Sequence, residues 1–202
     1  LLEPGPWDEK SLWLNGPEAL SAPVRPPRRA ASFAAPDGGY YVLRGQRSWA
    51  MTRCHTYHHR PGQADMLHLD LWYDGVNLLR DGGSYSYCCD PEVKQAFIGT
   101  AGHNTVTVDD ADQMLKGPRF LWFCWTRARV LCLHEGDGTA LLVGEHEGYH
   151  RLPGEPVHRR AVLRVGETYL VVDDLLGRGE HQGLLSWRLA PGALTAEGPG
   201  AV

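Results

Sequence analysis

RPGQADMLHLDLWYDGVNLLRDGGSYSYCCD, residues 60–90, carries the pattern that decides the fold. Polar and apolar residues alternate between Met66 and Tyr73. In an extended chain Leu67, Leu69 and Leu71 point to one side and His68, Asp70 and Trp72 to the other. One face reads as core, the other as the lining of a wetter surface. Asp74-Gly75 turns the chain, a short run follows at 77–80, and Asp81-Gly82-Gly83 turns it again. After nine more residues, TAGHNTVTVDDADQ (residues 100–113) repeats the alternation at Thr105, Val106, Thr107 and Val108.

The same texture extends outward. Short runs rich in β-branched and aromatic residues, bounded by Gly, Asp and Pro, predict strands at 40–44, 48–54, 66–73, 77–80, 105–109, 121–135, 140–149, 157–165, 169–174 and 184–189. No stretch of 12 or more residues has a helical period. The expected fold class is therefore all-β, a large antiparallel β-sandwich. Trp122, Phe123 and Trp125 crowd one predicted strand, where large rings either fill a core or form a platform for a sugar.

Residues 1–37 read differently. Pro23, Pro26 and Pro27 rule out a central strand or a long helix there, so the segment is a linker with at most a helical turn at 11–20. The sandwich domain is assigned to 38–202. The chain opens LLEPGPW without an initiator Met and closes LTAEGPGAV just after a predicted strand. It reads as part of a longer protein, truncated at its C-terminus.

A formal charge of -4 gives no basic footprint for nucleic acid. No apolar run approaches the ~18 residues of a membrane span. Arginines that fall near histidines leave room for a locally basic cleft, which suits an acidic small molecule or sugar. The five cysteines, Cys54, Cys88, Cys89, Cys124 and Cys132, are odd in number and lack a CxxC pair. They predict free thiols and point to a reducing compartment.

Taken together, Ala64-Asp65, Asp81-Gly82-Gly83-Ser84-Tyr85 and His103-Asn104-Thr105-Val106 resemble the C-terminal β-sandwich of heparinase II/III-type polysaccharide lyases. VHRRAVLRVGETYLVVDDLLGRGEHQGLLSWRLAPG, residues 157–192, is similar to the same region. The resemblance covers roughly residues 38–190. It implies an N-terminal α/α toroid, absent from this chain, that meets the sandwich across a cleft; residues 1–37 are then its tail and the linker. It also implies cleavage of uronic-acid-containing glycans by β-elimination, an acidic polysaccharide or oligosaccharide as partner, and a periplasmic or secreted location. The cysteines point the other way, and the compartment stays open.

That chemistry needs a group to neutralise the uronate carboxylate, a base for the C5 proton and an acid for the leaving oxygen. His103, Tyr85 and Asn104 are the catalytic candidates. Arg60, Tyr87, Arg159 and Arg160 are the candidates for holding the anionic sugar.

Many family members have His-x-His-x-Asp where this chain has Pro61-Gly62-Gln63-Ala64-Asp65. By position Pro61 replaces a cleft histidine and Gln63 a zinc ligand, while Asp81 and His103 match the other two ligands. Zinc held by Gln63, Asp81 and His103 is one expectation; a metal-free hydrogen-bond cluster of the same residues is the other. His55, His58 and His59 read as rim side chains, because their spacing imposes no coordination geometry. Pro61 and Gln63 also favour the alternative function, a non-catalytic carbohydrate-binding or scaffolding sandwich. A cupin-like metal sandwich lacks the histidine spacing it needs.

Overall fold

The computed structural model describes residues 5–21 and 31–192. Residues 5–21 belong to a unit of their own. A 3-10 turn (Pro6–Asp8) leads into helix α1 (Glu9–Asn15), and a second 3-10 turn (Pro17–Ser21) follows. Gly16 ends the helix at φ 79, a conformation glycine adopts without steric cost, and Pro17 cannot continue the ladder. The helical turn expected at 11–20 therefore starts earlier and is split. Pro23, Pro26 and Pro27, which carried the linker reading, lie outside the described residues.

The larger unit begins with an antiparallel five-stranded sheet in simple order: β1 (Phe33–Ala35), β2 (Tyr40–Arg44), β3 (Ser48–Arg53), β4 (Leu69–Tyr73) and β5 (Val76–Leu79). Helix α2 (Pro91–Ile98) precedes β6 (Val106–Val108), β7 (Leu115–Lys116) and β8 (Trp122–Phe123). A second sheet follows from β9 (Ala128–Gly136), β10 (Thr139–His146), β11 (Val157–Val165) and β12 (Thr168–Leu176), again each beside the next. Strand β13 (Gly183–Leu185) pairs with β6, and β7 pairs with β8. The fold is all-β and antiparallel, as the alternation predicts.

Local chemistry explains the hairpins. Asp74-Gly75 and Asp137-Gly138 form two-residue turns with both residues at positive φ, the geometry whose twist matches the flanking strands. Tyr41, Leu43, Ala50 and Leu69 of the first sheet pack with Ala140, Leu142 and Val162 of the second. Each large aliphatic side chain sealed there contributes about 1.5–3 kcal/mol.

Four expectations need correction. Strand β4 starts at Leu69, not Met66, because Leu67 takes φ 59 and breaks the alternation. As a result Leu67, His68, Leu69 and Asp70 are all buried, and no wet face forms there. The run 121–135 is two elements: Cys124 at φ 55 interrupts it between β8 and β9. Trp122 is buried, whereas Phe123 and Trp125 are exposed. Helix α2 was not expected at all. Its signal is Asp90-Pro91-Glu92, an N-cap residue, a proline at the first helical position and an acid in the first turn, compressed into eight residues.

All five cysteines are free. Burial pushes the Cys54 thiol up to about 12, which keeps it protonated and inert.

Candidate functional site

The loop after β5 joins two features. At its start Asp81 meets a pair of imidazoles inside the protein. At its end Ser84, Tyr85, Ser86 and Tyr87 line a groove on the outside.

The inner feature is built by three segments. His103 Nδ1 is 2.8 Å from Asp81 Oδ2, and His68 Nε2 is 3.7 Å from the same oxygen. The break at Leu67 turns His68 toward this carboxylate. Gly83 N–H caps Asp81 Oδ1 at 2.6 Å. Burial would raise the Asp81 carboxyl, but the His103 hydrogen bond, the positive potential of the two imidazoles and the Gly83 N–H outweigh it and hold it down to about 2. Burial pushes the His68 imidazole down to about 4 against the pull of Asp81, so that ring is neutral near pH 7.

Among the described residues, His68, Asp81 and His103 are the group that would hold a metal, with ligand atoms within 4.8 Å of one another. Gln63, expected in this set, has its amide nitrogen on Gly83 O at 2.9 Å and Ser84 Oγ at 3.3 Å; the second imidazole comes from His68. Two imidazoles and a carboxylate are a zinc-like donor set. The protons do not fit. His68 Nδ1 accepts the Asn104 N–H at 3.0 Å, so the neutral ring carries its proton on Nε2, the atom that would face the metal. A ligating imidazole also donates its outer N–H to a partner. Here the outer nitrogen of His68 accepts instead, and His103 Nε2 is buried without a partner. Asp81 takes the His103 N–H, His68 Nε2 is buried 3.7 Å from the same carboxylate without a hydrogen bond, and Gln63, expected to organise the cluster, is not part of it.

The outer feature is a groove with a cavity of about 220 Å³. Arg60, Lys94, Lys116 and Arg119 line it with Tyr85, Tyr87, Phe120 and Trp122, and among the described residues no Asp or Glu lines it. Arg60 and Lys94 both stand over the Phe120 ring, 5.3 and 4.7 Å from its centre. Lys116 Nζ donates to Gly117 O and Arg119 O, and burial, with Lys94 nearby, pulls it below the usual lysine range. Tyr85, at φ 54, stacks on Phe97 at 5.3 Å and remains 72% exposed. Tyr87 meets Phe120 edge-on at 6.0 Å. The groove offers cations for an acidic group and rings for a sugar face.

The candidates therefore divide. Arg60, Tyr85 and Tyr87 share the groove. His103 and Asn104 are fully buried, and neither presents an atom to it. The Asn104 side chain serves the backbone: Nδ2 donates to Leu69 O and Arg80 O, and Oδ1 accepts from Arg188 N. It has no capacity left for a carboxylate. Arg159 is committed to Glu145, which also binds Arg129. Arg160 is 1% exposed and pairs with Asp173 inside the sandwich. The histidines at 55, 58 and 59 line a second cleft with Arg53 and Arg129. Sequence reasoning missed Lys94, Lys116 and Arg119; the start signal of α2 would have flagged Lys94 alone.

The family described as heparinase II/III-like, C-terminal, matches residues 27–201. The chain is 30% identical over 137 residues to a heparin-sulfate lyase of Bacteroides stercoris, covering 65% of this chain and 18% of that protein. Among solved structures it is similar to a heparinase III gene product (21% identity, 94% of this chain, 28% of that one, TM-score 0.69). It is also similar to the heparan sulfate lyase HepC from Pedobacter heparinus (20% identity, 86% and 26%, TM-score 0.61). The chain spans less than a third of the length of each.

Proposed function

Because the chain belongs to the heparinase II/III-like, C-terminal family, we propose that it forms one wall of the substrate cleft of a polysaccharide lyase that cleaves uronic-acid-containing glycans by β-elimination. The observation that carries this reading is the groove, with four cations, two exposed tyrosines and, among the described residues, no carboxylate in its lining.

The C5 proton of a uronate lies beside a carboxylate and is barely acidic until that charge is met. Arg60, Lys94, Lys116 and Arg119 supply the opposing charge. As the C5 proton leaves, its bonding electrons form the C4–C5 double bond and the C4–O bond breaks. Tyr85, on the exposed rim, gives its phenolic proton to the departing oxygen. The base for C5 comes from the opposite wall. Residues 1–30 are then the linker and tail of the helical domain that builds it, since Phe33–Ala35 already pairs into the first sheet. His68, Asp81 and His103 act from below by fixing the loop that carries Tyr85, through Asp81 and the Gly83 N–H. Sulfated uronic-acid glycans are the first substrates to try, given the relatives' names.

The test is ultraviolet absorbance of the unsaturated uronate, measured on the full-length protein that carries this chain with a panel of acidic polysaccharides. Elimination that is lost in Tyr85→Phe supports the reading. Tight binding with no absorbance change across the panel would establish the non-catalytic carbohydrate-binding alternative, which Pro61 and Gln63 favour.

A further inference from the structure

We infer that Arg160 is a positioning residue that ties together the segments carrying His68, Asp81 and His103, and that it is itself aimed by Asp173 and a one-way chain of two histidines. This deepens the lyase reading and rests on it.

Arg160 projects from the inward face of β11. Its Nε and Nη2 donate to the two Asp173 carboxylate oxygens at 2.7 and 2.9 Å. Its Nη1 donates to Leu67 O at 2.8 Å and Asn104 O at 2.6 Å. Leu67 immediately precedes His68 and sits at positive φ, a conformation a leucine keeps only when its surroundings impose it. Asn104 immediately follows His103, donates its N–H to His68, and holds Arg80 O next to Asp81. One guanidinium therefore grips the backbone beside both imidazoles, and Asn104 carries that hold to Asp81.

The chain behind it has one polarity. Gly148 N–H can only donate, so His146 Nδ1 is bare and its proton lies on Nε2. That proton goes to His158 Nδ1 at 3.1 Å, which places the His158 proton on Nε2, 2.7 Å from Asp173 Oδ1. Both rings are buried and neutral, and Asp173 is left ionised and facing Arg160. A lysine has no planar fork to grip a carboxylate and two carbonyls together. An ion pair serving the core alone would have no reason to end on the two carbonyls that border the cluster.

The experiment compares wild type with Arg160→Lys, Asp173→Asn, His158→Gln and His158→Ala in the full-length protein. Turnover is measured on an acidic polysaccharide, and the imidazole resonances of His68 and His103 are recorded with isotope-labelled histidine. Asp173→Asn and Arg160→Lys are expected to lower kcat by about tenfold to a hundredfold, with KM nearly unchanged, and to move both imidazole signals. His158→Gln, whose amide can still donate to Asp173, keeps turnover, and His158→Ala loses it. Folded Asp173→Asn or Arg160→Lys with wild-type kcat and unmoved imidazole signals would overturn the inference; if Arg160→Lys fails to fold, Asp173→Asn decides. An inert wild type would instead sink the lyase reading, and the imidazole signals would still judge the positioning role.

Discussion

The backbone N–H of Asn104 donates to Nδ1 of His68 across 3.0 Å. That bond fixes the tautomer of the ring and turns its proton toward Asp81. A divalent metal on Nε2 would have to push the proton to Nδ1, against an N–H donor. Purified protein is therefore expected to contain no stoichiometric zinc, and a chelator should leave its Tm unchanged. One zinc per chain, with a Tm that falls on chelation, would show that the Asn104 bond breaks to admit the metal.

A second prediction concerns Gln113, which is fully buried. Its Oε1 accepts from Met66 N at 2.8 Å and its Nε2 donates to Met66 O at 2.9 Å, so a side-chain amide replaces the strand partner that Met66 lacks. Gln113→Ala orphans the buried Met66 N–H and leaves Met66 O to the Thr105 hydroxyl alone, and is expected to cost about 1–3 kcal/mol in urea unfolding. Gln113→Glu keeps the shape but sets a carboxylate against Met66 O, and should cost at least as much. A loss near zero for both would mean that the Met66 backbone finds other partners.

The pattern that predicts the sheets also marks where prediction stops. The Asp-Gly turns at 74–75 and 137–138 were legible because their backbone geometry depends on two adjacent residues alone. Strand β11 was not legible in the same way. VHRRAVLRV places Val157, Arg159, Ala161, Leu163 and Val165 on one face and His158, Arg160, Val162 and Arg164 on the other. The second face points inward, because Asp173 and backbone carbonyls take up the donors. Asp81 and His103 were recognised as partners, but His68 was assigned to a regular strand face, since nothing local announces the positive φ of Leu67. Lys94, Lys116 and Arg119 come from α2, β7 and the loop after β7. Only chain closure brings them to Arg60.

Acid should unfold the protein early. His68, His146 and His158 are buried, and burial lowers all three below the usual histidine value of 6.5. His146 faces His158, His150 and Arg160, while His158 faces Asp173, Asp174 and Arg160. Below about pH 6.5 the unfolded chain binds protons that the folded chain refuses, so stability falls as pH falls. For His68 the loss runs from 6.5 down to about 4. Each such group contributes a slope of about 1.4 kcal/mol per pH unit within its window. Asp81, held down to about 2, adds a further loss below the ordinary carboxylate range. Urea midpoints measured across this range should decline steadily toward acid; a flat profile down to about pH 4 would mean that these histidines are protonated in the fold.

The shared ring beneath Arg60 and Lys94 makes the groove testable without any catalytic assay. Phe120 lies beneath two cations at 5.3 and 4.7 Å, so an acidic oligosaccharide bound in the groove would meet both at once. Arg60→Ala and Lys94→Ala are each expected to weaken its binding about threefold to tenfold at low salt, and added salt should erode the difference. Phe120→Ala should weaken binding comparably, because both cations lose their support, and its effect should not add fully to either one. Calorimetry with a neutral oligosaccharide of equal length is the control. Equal losses for the neutral and acidic ligands would show that the groove reads the shape of the sugar and leaves its charge unread.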